Sequence, residues 1–105
     1  MLRRAALLFL FALGCSSSQN LGPPVTCTMT FTSANGSCTF DSSQPCSDGS
    51  FYTIDCQDDS TCSCDLNGTP QVSVIASNMQ FGFCATIDAS SVHDIAAKCG
   101  WNINP

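Results

Sequence analysis

The sequence predicts a small α+β domain of antiparallel β-hairpins with one C-terminal helix, stapled by disulfides. Three features predict it: apolar and polar residues alternate strictly over residues 25–32 and recur as shorter alternating runs, two Asn-Gly pairs separate these runs, and a helical repeat replaces the alternation near the C-terminus. Alternation is typical of a half-buried strand. Asn-Gly is the strongest short hairpin signal, because both residues tolerate a positive φ.

The first predicted strand is VTCTMTFTS, residues 25–33. Its threonines face one way, and the other face carries Val25, Cys27, Met29 and Phe31. A two-residue turn at Asn35-Gly36 then places Phe31 opposite Phe40 and Ser33 opposite Cys38. We expect all of these apolar residues and cysteines to share one face, which makes the register self-consistent.

Three more strands are expected after a turn-rich linker. FYTIDC points Tyr52, Ile54 and Cys56 inward, and CSC is a short strand. At the second Asn-Gly pair, a two-residue loop would set Cys62 beside Ser73. We favour a three-residue loop, Leu66–Gly68, because it sets Cys62 opposite Val72 and aligns sulfur with the apolar row. QVSVIAS follows as a strand, and alternation in MQFGFCATI, residues 79–87, predicts another.

Only DASSVHDIAAKCGW, residues 88–101, has a helical period. One stripe of this helix contains Val92, Ile95, Ala96 and Cys99. Ser91 and Asp94 resemble a capping box at its start. Gly100 suits the left-handed position after the helix, and Trp101 would fold back as its hydrophobic contact. We expect Cys99 to attach the helix to the sheet.

Residues 1–14 are predicted to be a targeting segment. Arg3 and Arg4 precede an apolar run, Ala5–Leu13, as in a secretory signal. The run is too short to span a bilayer, which takes about 20 apolar residues.

The sequence Ala12-Leu13-Gly14-Cys15 resembles the lipobox of bacterial lipoproteins, with Ala12 where that family more often has Leu. The resemblance implies acylation of the Cys15 thiol with palmitate-type chains, cleavage after Gly14, and acylation of the new amino group. Ser16, where Asp would retain a lipoprotein in the inner membrane, implies the outer membrane of a Gram-negative bacterium. The alternatives are a plain secretory signal and a cytosolic protein with a chance apolar start.

The remaining chain divides into a tether and a body. Residues 15–24 are rich in Ser and Asn, end in Pro23-Pro24, and are expected to be a flexible lipidated tether. Residues 25–105 form one small disulfide-rich domain.

Eight cysteines remain after Cys15, and an even number in a short exported chain predicts disulfides. They are Cys27, Cys38, Cys46, Cys56, Cys62, Cys64, Cys84 and Cys99. Neighbours i and i+2 on a strand seldom bond to each other, so we expect Cys62 and Cys64 to have separate distant partners. Zinc is the alternative, since eight thiolates could hold two tetrahedral ions, but paired C-x-x-C knuckles are missing. No cofactor is expected.

The charge of the body argues against two classes of partner. Lys98 is the only cation after residue 14, against eight aspartates, so residues 15–105 carry a formal charge of −7. Such a charge argues against nucleic acid and against electrostatic binding to anionic lipid. The membrane is expected to be contacted through the lipid anchor alone.

Few residues suggest chemistry. His93 is the only histidine, and its neighbours Ser90, Ser91 and Asp94 point different ways from one helical turn, so a surface histidine is favoured over a catalytic triad. Asp55, Asp58 and Asp59, with Asp65, predict an acidic patch around one loop. Calcium there is an open alternative, although the EF-hand spacing is absent. Asn35-Gly36-Ser37 and Asn67-Gly68-Thr69 match N-x-[ST], which we interpret as a by-product of the turns.

The sequence therefore predicts no catalytic residue. We expect a membrane-anchored binding or structural module of the bacterial envelope, with a hydrolase inhibitor as one specific form. The partner would be an envelope protein or a carbohydrate. The runner-up is a small envelope enzyme with an active site that the sequence does not reveal.

Overall fold

The computed structural model describes residues 21–105, so the predicted signal segment, Cys15 and residues 16–20 lie outside the described residues. The elements are β1 Val25–Thr26, β2 Met29–Ala34, β3 Ser37–Ser42, β4 Tyr52–Gln57, β5 Thr61–Leu66, β6 Thr69–Ile75, α1 Phe83–Thr86, a 3₁₀ turn Ala89–Ser91, α2 Val92–Lys98, and β7 Ile103–Asn104. No helix among them is long and apolar enough to cross a membrane.

Strands β2 to β6 form one antiparallel sheet in chain order, and β1 pairs with β7 in a separate parallel ribbon. The predicted class is thus correct in its coarse form, a small stapled domain of antiparallel strands. The helical part is minor, since α2 has seven residues.

The β2–β3 hairpin has the predicted register. Phe31 pairs with Phe40 and Ser33 pairs with Cys38. Asn35 and Gly36 form the turn with φ values of 46° and 84°. Both lie in the left-handed region that a type I′ turn requires.

The expected inward face of β4 is also confirmed, since Tyr52, Ile54 and Cys56 are buried. At the β5–β6 turn, the predicted three-residue loop is wrong. Leu66 pairs with Thr69 across a two-residue turn, and a bulge at Cys64/Asp65 then shifts the register. The bulge restores the alignment for which the longer loop was favoured, because Cys62 now lies opposite Val74 and Cys64 opposite Val72.

The first predicted strand is divided in two. Val25 pairs with Ile103 in the parallel ribbon, whereas β2 begins at Met29. The Cys27 N–H donates to the Asn104 carbonyl at 3.1 Å, and the Cys27 sulfur is bonded to Cys46. These two contacts hold the chain away from β3 until residue 29.

The strand predicted over residues 79–87 is wrong, because Phe83–Thr86 is the short helix α1. Gly82 precedes it with a φ of 73°, which a strand residue does not adopt. Asp58 fixes its start: the Asp58 carbonyl accepts the Phe83 N–H at 3.0 Å, and Oδ1 accepts the Cys84 N–H at 3.0 Å. Two orphan donors of the helix are satisfied in this way.

The C-terminal helix has the predicted buried stripe, with Val92, Ile95 and Ala96 inside. The predicted capping box at Ser91 and Asp94 is wrong, since Ser91 makes no side-chain cap to α2. The box lies three residues earlier, where the Asp88 side chain accepts the Ser90 N–H at 2.9 Å and the Asp88 N–H donates to Ser91 Oγ at 3.2 Å.

The helix ends as predicted. Gly100 has a φ of 89°, its N–H donates to Ala97, and the Trp101 N–H donates to Ala96. This pair of bonds is a Schellman motif, which returns Trp101 toward the sheet. Its ring meets Tyr52 edge-on, with the two centroids 4.8 Å apart.

The eight body cysteines are all paired. The bonds are Cys27–Cys46, Cys38–Cys84, Cys56–Cys62 and Cys64–Cys99. Cys62 and Cys64 have separate partners, and Cys99 attaches α2 to the sheet, as expected. The expectation of distant partners holds for Cys64 and is wrong for Cys62, because Cys56 is six residues away and lies directly opposite it on β4. No sulfur of this set is left as a thiolate for zinc.

One face of the sheet therefore packs under the helices and the ribbon. Phe40, Ile54, Val92 and Ile103 are fully buried between these layers. We call this the inner face, and the opposite side of β2 to β6 the outer face.

Candidate binding face

The outer face is built by the same alternation that builds the core. Each strand residue that follows an inward one points the other way. Pairing across the sheet sets Thr32, Thr39, Asp55, Ser63 and Ser73 in one row. The adjacent row holds Thr30, Asp41, Thr53 and Asp65. The centre of the outer face thus consists of two adjacent rows of hydroxyl and carboxylate side chains.

Hydroxyls on this face orient the carboxylates. Thr39 Oγ1 donates to Asp55 Oδ1 at 2.6 Å, and Thr53 Oγ1 donates to Asp41 Oδ1 at 2.9 Å. Ser63 Oγ donates to Asp65 Oδ1 at 3.2 Å. Each carboxylate keeps its other oxygen available as an acceptor, because a carboxylate offers about four lone-pair sites.

The three carboxylates form a staggered triangle. Asp41 and Asp65 flank Thr53 in one row, so their backbones are two strand spacings, roughly 10 Å, apart. Asp55 lies on the diagonal from each, at about 7–8 Å. Lys98, the only cation in residues 21–105, belongs to α2, which is attached over the inner face by Cys99. The outer face therefore has a negative charge that the body does not neutralise.

The predicted acidic patch is divided by the fold. Asp55 and Asp65 lie on the outer face, whereas Asp58 caps α1. Asp59 accepts the Thr61 N–H at 3.0 Å within its own turn, and that bond holds the pKa of Asp59 below its usual range. Within residues 21–105, no three acidic, cysteine or histidine side chains are grouped closely enough to hold a metal ion.

His93 lies in the opposite layer from the carboxylates. Its Nδ1 is 2.8 Å from the Ile103 carbonyl, so the ring holds β7 against α2. Ser90 and Ser91 both bond to Asp88 in the turn before the helix. The structure does not bring these groups together as a triad.

Sequence reasoning missed Asp41. The signal was present, since CTFDS alternates and its hairpin register is correct, so Asp41 had to lie on the face opposite Phe40. Alternation within the first strand predicts its threonine row, whereas Asp41 joins that row only through the pairing of β2 with β3.

Tyr52 and Asp48 form a hydrogen-bonded pair at the edge of the core, and the pKa of each group is shifted. The Tyr52 hydroxyl donates to Asp48 Oδ2 at 2.6 Å. Burial, together with this bond and the nearby negative charge, raises the pKa of Tyr52 to about 12. The same bond, with help from the Ser50 N–H, lowers the pKa of Asp48.

We therefore expect the native protein to lose stability as the pH rises from about 10 to about 12. In the folded state the neutral phenol is favoured up to a pKa of about 12, whereas in the unfolded chain the pKa is about 10. Tyr52 is the only tyrosine, so absorbance of tyrosinate at 295 nm reports it alone. Asp48→Asn should lower the pH midpoint of the Tyr52 titration in the native protein, because it removes the negative charge beside the phenol. An unchanged midpoint near 10 in native wild type would contradict the burial of this ring.

Comparison of the chain with family models, curated proteins and solved structures finds no match.

Proposed function

We propose that this chain is an exported, lipid-anchored binding module of the bacterial envelope, and that the outer face is its contact surface. The observation that carries the proposal is that this face is uncovered and that its two central rows consist of hydroxyl and carboxylate side chains. These side chains are ordered by hydrogen bonds to one another. No other described element covers this face of the five-stranded sheet, and its polar groups are held in place before contact. Preorganised groups lose less entropy on binding.

The opposite side of the sheet supports this by making the scaffold rigid. Buried sulfurs on the inner face join neighbouring strands through Cys56–Cys62 and reach α1 and α2 through Cys38–Cys84 and Cys64–Cys99. Four disulfides fit an oxidising, exported environment. A stapled sheet presents the outer rows at fixed spacings, as specific recognition requires.

The charge of the face indicates the chemistry of the partner. Asp41, Asp55 and Asp65 have no described cation beside them, so a basic protein surface would supply the missing countercharges. Complementary charges speed encounter and exclude acidic competitors. We therefore propose an envelope protein with a basic patch as the partner.

The place where the tether joins the body supports anchoring. The Val25 N–H donates to the Asn102 carbonyl, and Asn102 Nδ2 donates to the Gly22 carbonyl at 3.1 Å. The chain thus enters beside β7, at the end of the sheet away from the Asn35-Gly36 turn. A lipid at Cys15, with residues 16–21 as spacer, would leave the outer face accessible beside the membrane.

Charge reversal on the face tests the proposal. Full-length wild type, Asp55→Arg and Asp94→Arg serve as baits in envelope extract, and captured proteins are identified and purified. We expect Asp55→Arg to bind the captured partner at least tenfold more weakly, because like charges then face each other. Asp94→Arg makes the same charge change on the exposed side of α2 and should bind as wild type does.

Equal affinity of the two variants would show that the outer face is not the contact surface. Far-ultraviolet circular dichroism on both variants controls for folding, and neither side chain is buried.

A further inference from the structure

The free edge of the sheet at β6 combines an absence of charge with exposed apolar side chains. Residues 66–87 contain no charged side chain, although the chain has eight aspartates. β6 is the last strand in the sheet, and Val72 and Ile75 on it are 44% and 70% exposed. Natural edge strands are usually protected by charge, proline or a bulge. Pro70 and the nearby bulge protect the first half of β6, and the second half has no such protection.

The backbone groups that point away from β5 can be assigned. The Ala76 N–H donates to the Ser60 carbonyl at 2.8 Å, so the backbone groups of Ala76 point toward β5. In an antiparallel pair, residues alternate between bonding to their neighbour and pointing away from it. Ile75 and Ser73 therefore point their N–H and C=O groups away from β5, within the plane of the sheet. We call these the outward groups of the edge. Within residues 21–105, neither residue takes part in a backbone bond of a turn or loop.

We propose that β6 pairs antiparallel with β6 of a second copy of this chain, about a two-fold axis at Val74. Ser73 then lies opposite Ile75 of the second copy, and Ile75 lies opposite Ser73 of the second copy. Each pair exchanges two hydrogen bonds, so the four outward N–H and C=O pairs are satisfied by one another. The arrangement is isologous, as in most homodimers.

The side chains agree with this register. Val74 meets Val74 of the second copy on the inner side, and Val72 lies opposite Ala76 of the second copy. Both exposed apolar side chains of the strand, Val72 and Ile75, lose water contact on pairing. The two sheets join as one sheet of ten strands, with the outer faces continuous.

The absence of charge favours self-pairing at this edge over the acidic parts of the surface. Residues 21–105 have a formal charge of −7, so two copies repel each other wherever their acidic surfaces meet. Residues 66–87 contain no like charges to oppose the approach of a second copy. Residues 21–40, at the β2 edge, are also uncharged, but of the two edge strands only β6 exposes large apolar side chains, Val72 and Ile75. This inference is independent of the proposed function, because it requires no partner and no lipid.

Sedimentation equilibrium of the full-length protein, as purified, in buffer matched to the density of its detergent tests the proposal. Wild type is expected at twice the monomer mass, and Ile75→Lys at the monomer mass. Ile75 is exposed, so the lysine does not disturb the single copy. Ser73→Pro gives a second variant, because it removes an outward N–H without adding charge, and it too should be monomeric.

Thr32→Lys is the matched control. It makes the same charge change on β2, the edge strand on the other side of the sheet, and should remain dimeric. Hydrogen exchange supplies a second readout: the Ser73 amide should exchange at least tenfold more slowly in wild type than in Ile75→Lys. Monomeric wild type, or a dimer that Ile75→Lys and Ser73→Pro leave intact, would overturn the proposal.

Discussion

Replacing Cys38 and Cys84 together by alanine is expected to lower the free energy of unfolding by about 4 kcal/mol. Replacing Cys56 and Cys62 in the same way should lower it by about 2 kcal/mol. The difference follows from loop length, since the bonds span 46 and 6 residues, and the entropy that a crosslink removes from the unfolded chain rises with the loop it closes. All four sulfurs are buried, so the loss of side-chain packing is similar in the two variants.

The larger effect is a substantial part of the whole stability, because small domains are stable by about 5–15 kcal/mol. Urea unfolding followed by the fluorescence of Trp101 gives both values. Cys38–Cys84 also holds α1 against β3, which leaves Asp58 as the remaining attachment of that helix start. Equal losses from the two pairs would show that crosslinking of the unfolded chain does not govern the stability of this fold.

Cys15→Ser is expected to abolish incorporation of labelled palmitate and to leave the chain either uncleaved or in the soluble fraction. Each buried methylene contributes about 0.8 kcal/mol, and one acyl chain holds a protein only marginally, so at least two are needed. The proposed anchor supplies two on the sulfur and one on the nitrogen. Loss of the sulfur removes the site of the first two.

Gly14→Leu makes an independent check, because the signal peptidase of this pathway requires a small residue before the cysteine. The Gly14→Leu protein should accumulate as the uncleaved precursor, and its body should still fold. Maturation of Cys15→Ser at the same site, with membrane association as in wild type, would exclude the lipobox interpretation.

Local patterns predicted the parts of the fold that depend on neighbours in the chain. The Phe31–Phe40 register follows from alternation and one Asn-Gly turn, and the buried stripe of α2 follows from its period. The Schellman ending at Gly100 needs only a residue that tolerates positive φ. Each of these is decided within about ten residues.

The errors arise where distant contacts decide. Alternation in residues 79–87 is real, but Asp58, about 25 residues earlier, caps α1 and overrides it. At the β5–β6 turn, the position of the apolar face does not decide the loop length, because a bulge reaches the same face with a shorter loop. Disulfide pairing depends on the full three-dimensional arrangement, and the outer face becomes visible only when all five strands are aligned.

The parallel ribbon determines how the body responds to a pull on its N-terminal side. Force applied at residue 21 meets first the bond from Asn102 Nδ2 to the Gly22 carbonyl, and then the N–H bonds of Val25 and Thr26 to the Asn102 carbonyl and Ser47 Oγ. At Cys27 the peeling meets a covalent bond, and the load divides between β2 and the loop that contains Cys46. Only residues 21–26 can therefore extend before the load reaches the covalent Cys27–Cys46 bond.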